Sequence, residues 1–258
     1  MSRILIFVYG LFAYAMFFIT ICYAIGFVGN FIVPKSIDTG VEIGLLPALV
    51  INGLLLSLFV VQHTIMARPA FKAWWTTIIP KAMERSTFVI LASAILLLTF
   101  WQWKPQSAIV WNIEQPALRI ALIAVSMLGW ATVFFSSFLI DHFDLFGLRH
   151  VTLHLRKRPY TNQPFAERSL YKLVRHPLMT GFLIAFWVTP TMTVGHLFFA
   201  VMTTGYILFG TTIEERDLVK QHGQNYVEYR RRTNRFFPGL KFKPASASGE
   251  HLPASQQS

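Results

Sequence analysis

Cysteine is nearly absent from this chain: the single Cys22 excludes an intramolecular disulfide and any C-x-x-C thiol chemistry. Charge is scarce as well. Only 14% of residues are charged, against roughly 25% in ordinary soluble domains. Acidic residues number 12 beside 23 Lys and Arg. The P-loop, G-x-S-x-G and G-x-G-x-x-G patterns are all missing, so phosphate-cradling, serine-hydrolase and Rossmann chemistries lose their usual sequence support. A metal site is not expected either. His150 and His154 stand four apart, but no third ligand follows at recognisable spacing and Arg156, Lys157 and Arg158 come directly after.

Apolar residues are abundant, at 54% of the chain, and they are clustered. The runs cover 4 to 31, 43 to 66, 86 to 103 and 117 to 140, and each approaches or exceeds the roughly 20 residues that cross a bilayer. A fifth run, 178 to 213, holds 36 residues without a formal charge. That is too long for one crossing, and Pro190 with Thr193-Val194-Gly195-His196 supplies a break, so two shorter antiparallel helices are expected. The fold class is therefore all-α integral membrane, with about six hydrophobic helices: five full spans plus a final hairpin that either crosses twice or re-enters. Ile4 to Val33 is longer than a signal-peptide core and reads as a retained span. The chain divides into a four-span scaffold (1–140), a functional region (141–240) and a polar, small-residue tail (241–258) expected to be disordered.

Lys and Arg alternate in density between the loops. Segments around Arg68 to Arg85, Arg149 to Arg175 and Arg216 to Lys243 are basic, whereas the intervening loops carry little beyond Lys35, Lys104 and Arg119. The excess of basic residues on cytoplasmic loops then puts both termini in the cytoplasm. The net charge of +11 suits topology and anionic headgroups rather than nucleic acid.

Five constellations could carry chemistry. Arg175-His176-Pro177 stands where a basic loop meets an apolar helix, and proline suits the first helical turn, where free N–H groups and the positive dipole end face outward. Glu214-Glu215 follows the uncharged run directly, so these carboxylates need a cation, either a bound one or Arg175, Arg216 or Arg230. Tyr226 and Tyr229, three apart, share a face if helical; they could box a base or a sulfonium, or simply anchor an interfacial helix. Asp141-His142-Phe143-Asp144 sets imidazole beside carboxylate, a pairing suited to proton abstraction. Gln62-His63 is a polar pair that either lines the same cavity or is hydrogen-bonded within the core.

The spaced combination Arg175-His176-Pro177-x-x-x-Gly181, a hydrophobic hairpin, Glu214-Glu215, Gly223-x-x-Tyr226-x-x-Tyr229 and Pro238 resembles the isoprenylcysteine carboxyl methyltransferase and phospholipid methyltransferase superfamily of membrane enzymes. Residues 23 to 38, 62 to 72 and 141 to 151 are more narrowly similar to the bacterial methanethiol S-methyltransferase group, close to NnrU-like membrane proteins. The resemblance implies an enzyme of the bacterial inner membrane that methylates methanethiol to dimethyl sulfide. Its methyl donor would be S-adenosylmethionine, bound on the cytoplasmic side and released as S-adenosylhomocysteine. It also implies that Tyr171, Arg175, His176, Pro177 and Gly181 contact that cofactor, with Glu214, Glu215, Tyr226 and Tyr229 completing the site. Met179 replaces the aromatic usual in prenylcysteine enzymes, which disfavours a prenylcysteine acceptor.

A thiol acceptor needs help to ionise, since alkyl thiols of the cysteine type have a pKa of about 8.5. His142 with Asp144 is the expected base and orienter, with His63, His176 and Arg175 as rivals. Two other readings remain: methylation of prenylcysteine or a phospholipid amine, and a non-enzymatic NnrU-like protein.

Overall fold

The computed structural model describes residues 2–161 and 169–239. The expected tail at 241–258 lies outside the described residues, as does Arg168. Within them the chain is a multi-pass, almost entirely helical membrane protein. Five helices are long and apolar enough to cross a bilayer: α1 (Arg3–Gly29), α2 (Leu45–Ala67), α4 (Glu84–Gln102), α5 (Pro116–Ile140) and α9 (Val194–His222). Between them lie α3 (Pro69–Ile78), α6 (His142–Leu145), α7 (Leu148–Leu155), the half-length α8 (Pro177–Trp187) and α10 (Gln224–Arg232). The spans are apolar on all sides, as lipid-facing helices are. Large side chains such as Leu54, Ile120 and Leu128 stand exposed along them, and Cys22 is exposed on α1.

Aromatic side chains tie the bundle together. Phe27 of α1, Phe100 of α4, Trp130 of α5, Phe186 of α8 and Phe199 of α9 form one buried cluster with Trp103. At the end of the bundle away from the N-terminus, β1 (Ile109–Asn112) pairs antiparallel with β2 (Thr191–Thr193), so the loop after α4 holds the tip of the final hairpin. Further bonds close that end: the Asn52 side chain meets both backbone groups of Lys104, Trp103 Nε1 donates to Ile37 O, and Gly195 N donates to Gln106 O.

The final hairpin is asymmetric where two similar short helices were expected. Its first leg is α8, 11 residues, followed by an extended stretch into β2; its second is α9, 29 residues. Eleven helical residues rise only about 16 Å, and the stretch through β2 carries the leg on to the level of β1. Extended backbone survives there because β1 takes up its hydrogen bonds, and Ile113 N and Trp111 Nε1 donate to the Pro190 and Thr189 carbonyls.

α8 packs on α5 by close backbone approach. A Cβ at Gly181 would lie 2.6 Å from Gly129 O, and one at Gly129 would lie 2.8 Å from both Gly181 O and Ala185 N. This is the small-residue contact that lets membrane helices approach without a hydrophobic driving force. Gly181, expected to contact cofactor, is thus a packing residue: its missing side chain is used by α5.

Alanine at position 181 gains about 1 kcal/mol of helix propensity but meets backbone that cannot yield, an overpacking of about 1–3 kcal/mol. Gly181→Ala is expected to lower the melting temperature in detergent, and an unchanged or raised value would contradict this packing.

Candidate active site

At the N-terminal end of the bundle, where the basic segments gather, one buried carboxylate collects the charges. Glu215 lies on α9, is 1% exposed, and meets three arginines and a histidine. Arg175 Nε donates to its Oε1 at 2.7 Å, Arg235 Nη2 to its Oε2 at 3.1 Å, and His176 Nε2 bonds to Oε1 at 3.1 Å. Arg230 Nε stands 3.5 Å from Oε2. The backbone is laced across the same place. Arg175 N and His176 N donate to the carbonyls of Asn234 and Arg235, and Arg175 Nη1 donates to the carbonyls of Arg230 and Thr233. Thr180 Oγ1 donates to Phe236 O at 2.8 Å, which ties the first turn of α8 to the segment after α10. Pro177, at the first position of α8, is buried beneath this junction.

The segments before and after the final hairpin therefore meet, with Arg175 and Glu215 in direct contact. What this brings together is a carboxylate–arginine lock. Every oxygen of Glu215 is committed to protein cations, so it shapes the site without offering charge to a ligand. Sequence reasoning named Arg175, Arg216 and Arg230 as partners; the first and last are, Arg216 is exposed and does not reach Glu215, and Arg235 was missed. The available signal was its position just before Phe236-Phe237-Pro238, where an aromatic run returns the chain to the bundle.

Glu214 is different. Its side chain is 54% exposed, and His176 Nδ1 stands 3.6 Å from its Oε2. Tyr171 lies near enough to feel its charge; burial, first, and then Glu214 push the Tyr171 phenol well above its ordinary value. Tyr226 and Tyr229 do share a face of α10, but both are 2% exposed. Their rings are 5.7 Å apart, and Tyr229 OH donates to Tyr171 O at 2.6 Å. They support Tyr171 from beneath rather than presenting open faces.

The expected pairing of His142 with Asp144 is not formed. His142 is 3% exposed, with Nε2 bonded to Tyr14 OH at 2.8 Å and Nδ1 to Ser137 Oγ at 2.7 Å. Its ring stacks on Phe138 at 4.1 Å. Asp144 turns the other way, accepting from Arg149 Nη1 at 3.1 Å and Tyr160 OH at 3.0 Å, with His150 Nε2 at 3.4 Å. The cause is local. The side chain of Asp141 caps α6 by accepting from Asp144 N, which fixes the turn so that the two side chains diverge. Burial holds the His142 imidazole below its ordinary value, with Asp141 opposing.

His63 keeps an unspent atom. Its Nδ1 is buried with no hydrogen-bond partner among the described residues, and Phe59, Phe88 and Tyr206 surround the ring at 5.1, 4.8 and 6.1 Å between centroids. Gln62 turns away to Met66 and does not pair with it. Tyr206 belongs to α9, two turns before Glu214, about 12 Å along the axis. The ion pair of Arg68 with Asp217 at 3.1 Å fastens α2 to α9 at the same end.

Comparison with known proteins gives one consistent group. The chain is 50% identical to methanethiol S-methyltransferase 1 of Bradyrhizobium diazoefficiens over 92% of its length and 83% of that protein. It is 50% identical to methanethiol S-methyltransferase of Mycobacterium tuberculosis over 92% of this chain and 98% of the relative. A more distant relative, Nurim of Mus musculus, is 30% identical over 64% of this chain and 65% of its own. No family model matches the chain, and no solved structure matches it.

Removing one partner of a buried ion pair costs about 3–5 kcal/mol, because the opposite charges stay buried. Glu215→Gln is therefore expected to lose most of the folded protein in a detergent thermal melt, whereas Glu214→Gln should melt within a degree or two of wild type. Equal stability of the two variants would show that the lock does not hold the site.

Proposed function

This chain belongs to the methanethiol S-methyltransferase family, and we propose that it transfers a methyl group from S-adenosylmethionine to methanethiol, releasing dimethyl sulfide, S-adenosylhomocysteine and a proton. The observation that carries the reading is the junction around Glu215. It joins the Arg175-His176 loop to the end of α9 and leaves the carboxylate of Glu214 and the ring of Tyr171 beside each other.

The residues present fit such a donor. A sulfonium and an ammonium are cationic, and Glu214 is the carboxylate left uncommitted for them, with Tyr171 as an aromatic neighbour. Arg175, Arg235 and Arg230 act through Glu215 and position this face. When bound, S-adenosylmethionine supplies a methyl carbon already activated by its sulfonium leaving group, so the protein's work is alignment and exclusion of water.

The other requirement is a thiolate. We assign the proton acceptor to His63 rather than His142, because both ring nitrogens of His142 are bonded to hydroxyl groups while Nδ1 of His63 is buried and unspent. The walls around it, Phe59, Phe88 and Tyr206, suit a small apolar thiol. The proton passes from the thiol to His63 Nδ1 as the sulfur–carbon bond forms. On this reading the site faces the cytoplasm of a bacterial inner membrane, as the basic loops on that side require.

Purified protein given methanethiol and S-adenosylmethionine should release dimethyl sulfide into the headspace. It should give no product with a prenylcysteine or phosphatidylethanolamine acceptor. Glu214→Gln should raise KM for the donor about 10- to 100-fold, the worth of one charged hydrogen bond. His63→Ala should lower kcat at neutral pH by about 10²–10⁴-fold and recover as pH rises and the thiol ionises unaided. His142→Ala should show no such recovery. Absence of both dimethyl sulfide and donor binding would favour a non-enzymatic role instead.

A further inference from the structure

A cavity separate from the junction described above opens between α3, α7 and the turn that leads into α4. It measures about 430 Å³. Three basic side chains line it, Lys72 from α3, Lys81 from the turn and Arg158 just beyond α7, with His154 from α7, against the single carboxylate of Glu84. Glu84 lies 3.9 Å from Lys72. His150, also in the wall, is already engaged by Asp144 and stacks on Tyr160 at 4.2 Å. Lys81, His154 and Arg158 have no acidic partner among the described residues. None of these groups has a part in the proposed transfer.

The position of α3 says what reaches this cavity. Phe71, Trp74, Trp75 and Ile78 fall at i, i+3, i+4 and i+7, one stripe of a helix, while Lys72 and Thr76 face the cavity from the other side. No residue of α3 is fully buried, and Trp74 is 55% exposed. A short helix set directly after a membrane span, with Trp74 and Ile78 exposed on one side and Lys72 on the other, has the character of a helix that lies at headgroup depth. Acyl chains then run beside Trp74 and Ile78, and the phosphate of the same lipid stands level with the unpaired cations.

We propose that this cavity binds the phosphate-bearing headgroup of an anionic phospholipid, held by Lys81 and Arg158 with Lys72, and that α3 seats its acyl chains. The chemistry recognised is a phosphate anion, and the membrane is its source. Basic pockets at the membrane surface attract anionic lipid by about 1 kcal/mol per Lys or Arg, a factor of about five each.

The test is native mass spectrometry of the full chain released from mixed phosphatidylglycerol and phosphatidylcholine nanodiscs, with inorganic phosphate titrated separately. Wild type should retain phosphatidylglycerol in preference to phosphatidylcholine. Lys81→Ala and Arg158→Ala should each weaken that retention about fivefold, while Lys104→Ala, removing the same charge at the opposite end, should not. Equal retention of both lipids, or unchanged retention in the two pocket variants, overturns the proposal. So does tight binding of inorganic phosphate without phosphatidylglycerol, which would make the cavity a site for a soluble anion. The readout is lipid bound, so failure here leaves the proposed methyl transfer untouched, and a chain without that activity can still pass this test.

Discussion

A carboxylate taken out of water at the end of a membrane helix is expensive unless cations surround it, and Glu215 is surrounded. Arg175, Arg235, Arg230 and His176 arrive from a loop before the final hairpin and a segment after it, parts of the chain that share no helix. The three guanidinium groups among them are 11–36% exposed, and each would lose a partner without the glutamate. Together these contacts hold the start of α8, the end of α9 and the chain after α10 in one place. What stays outside that network is the exposed carboxylate of Glu214, whose charge acts on the neighbouring Tyr171.

The membrane architecture was legible in the sequence because its signal is one-dimensional. Runs of apolar residues set the spans, and the first four long helices begin and end within a few residues of them, whereas α9 runs on past the last run to His222. The approach of Arg175 to Glu215 was also legible, since two adjacent acids at the end of an uncharged run must find cations. What the sequence did not carry was three-dimensional. The pairing of β1 with β2 joins residues about 80 apart by backbone bonds that have no side-chain signature. Gly181 stood inside a motif and so was read as contacting cofactor, yet Gly129 on another helix uses its missing side chain. His142 and Asp144 are two apart, and one turn capped by Asp141 is enough to send them to different neighbours.

The same contrast separates the two candidate bases. A histidine beside an aspartate in sequence draws attention, but hydroxyl groups from α1 and α5 satisfy His142 completely. His63 sits in an apolar run and looks like a core residue until its surroundings are known. Burial without a partner is the unusual condition, and it becomes visible only when α2, α4 and α9 are brought together.

Where α2 and α9 are joined, the bonding differs between their two ends. One end is stitched by a strand pair, a bidentate amide and several backbone bonds from the α4–α5 loop. At the other, α2 reaches α9 through an exposed Arg68–Asp217 contact, of a kind worth about 0–1 kcal/mol. Dissolved salt screens an exposed ion pair far more than it does a backbone ladder, so ionic strength reaches the two ends of the α2–α9 seam very differently.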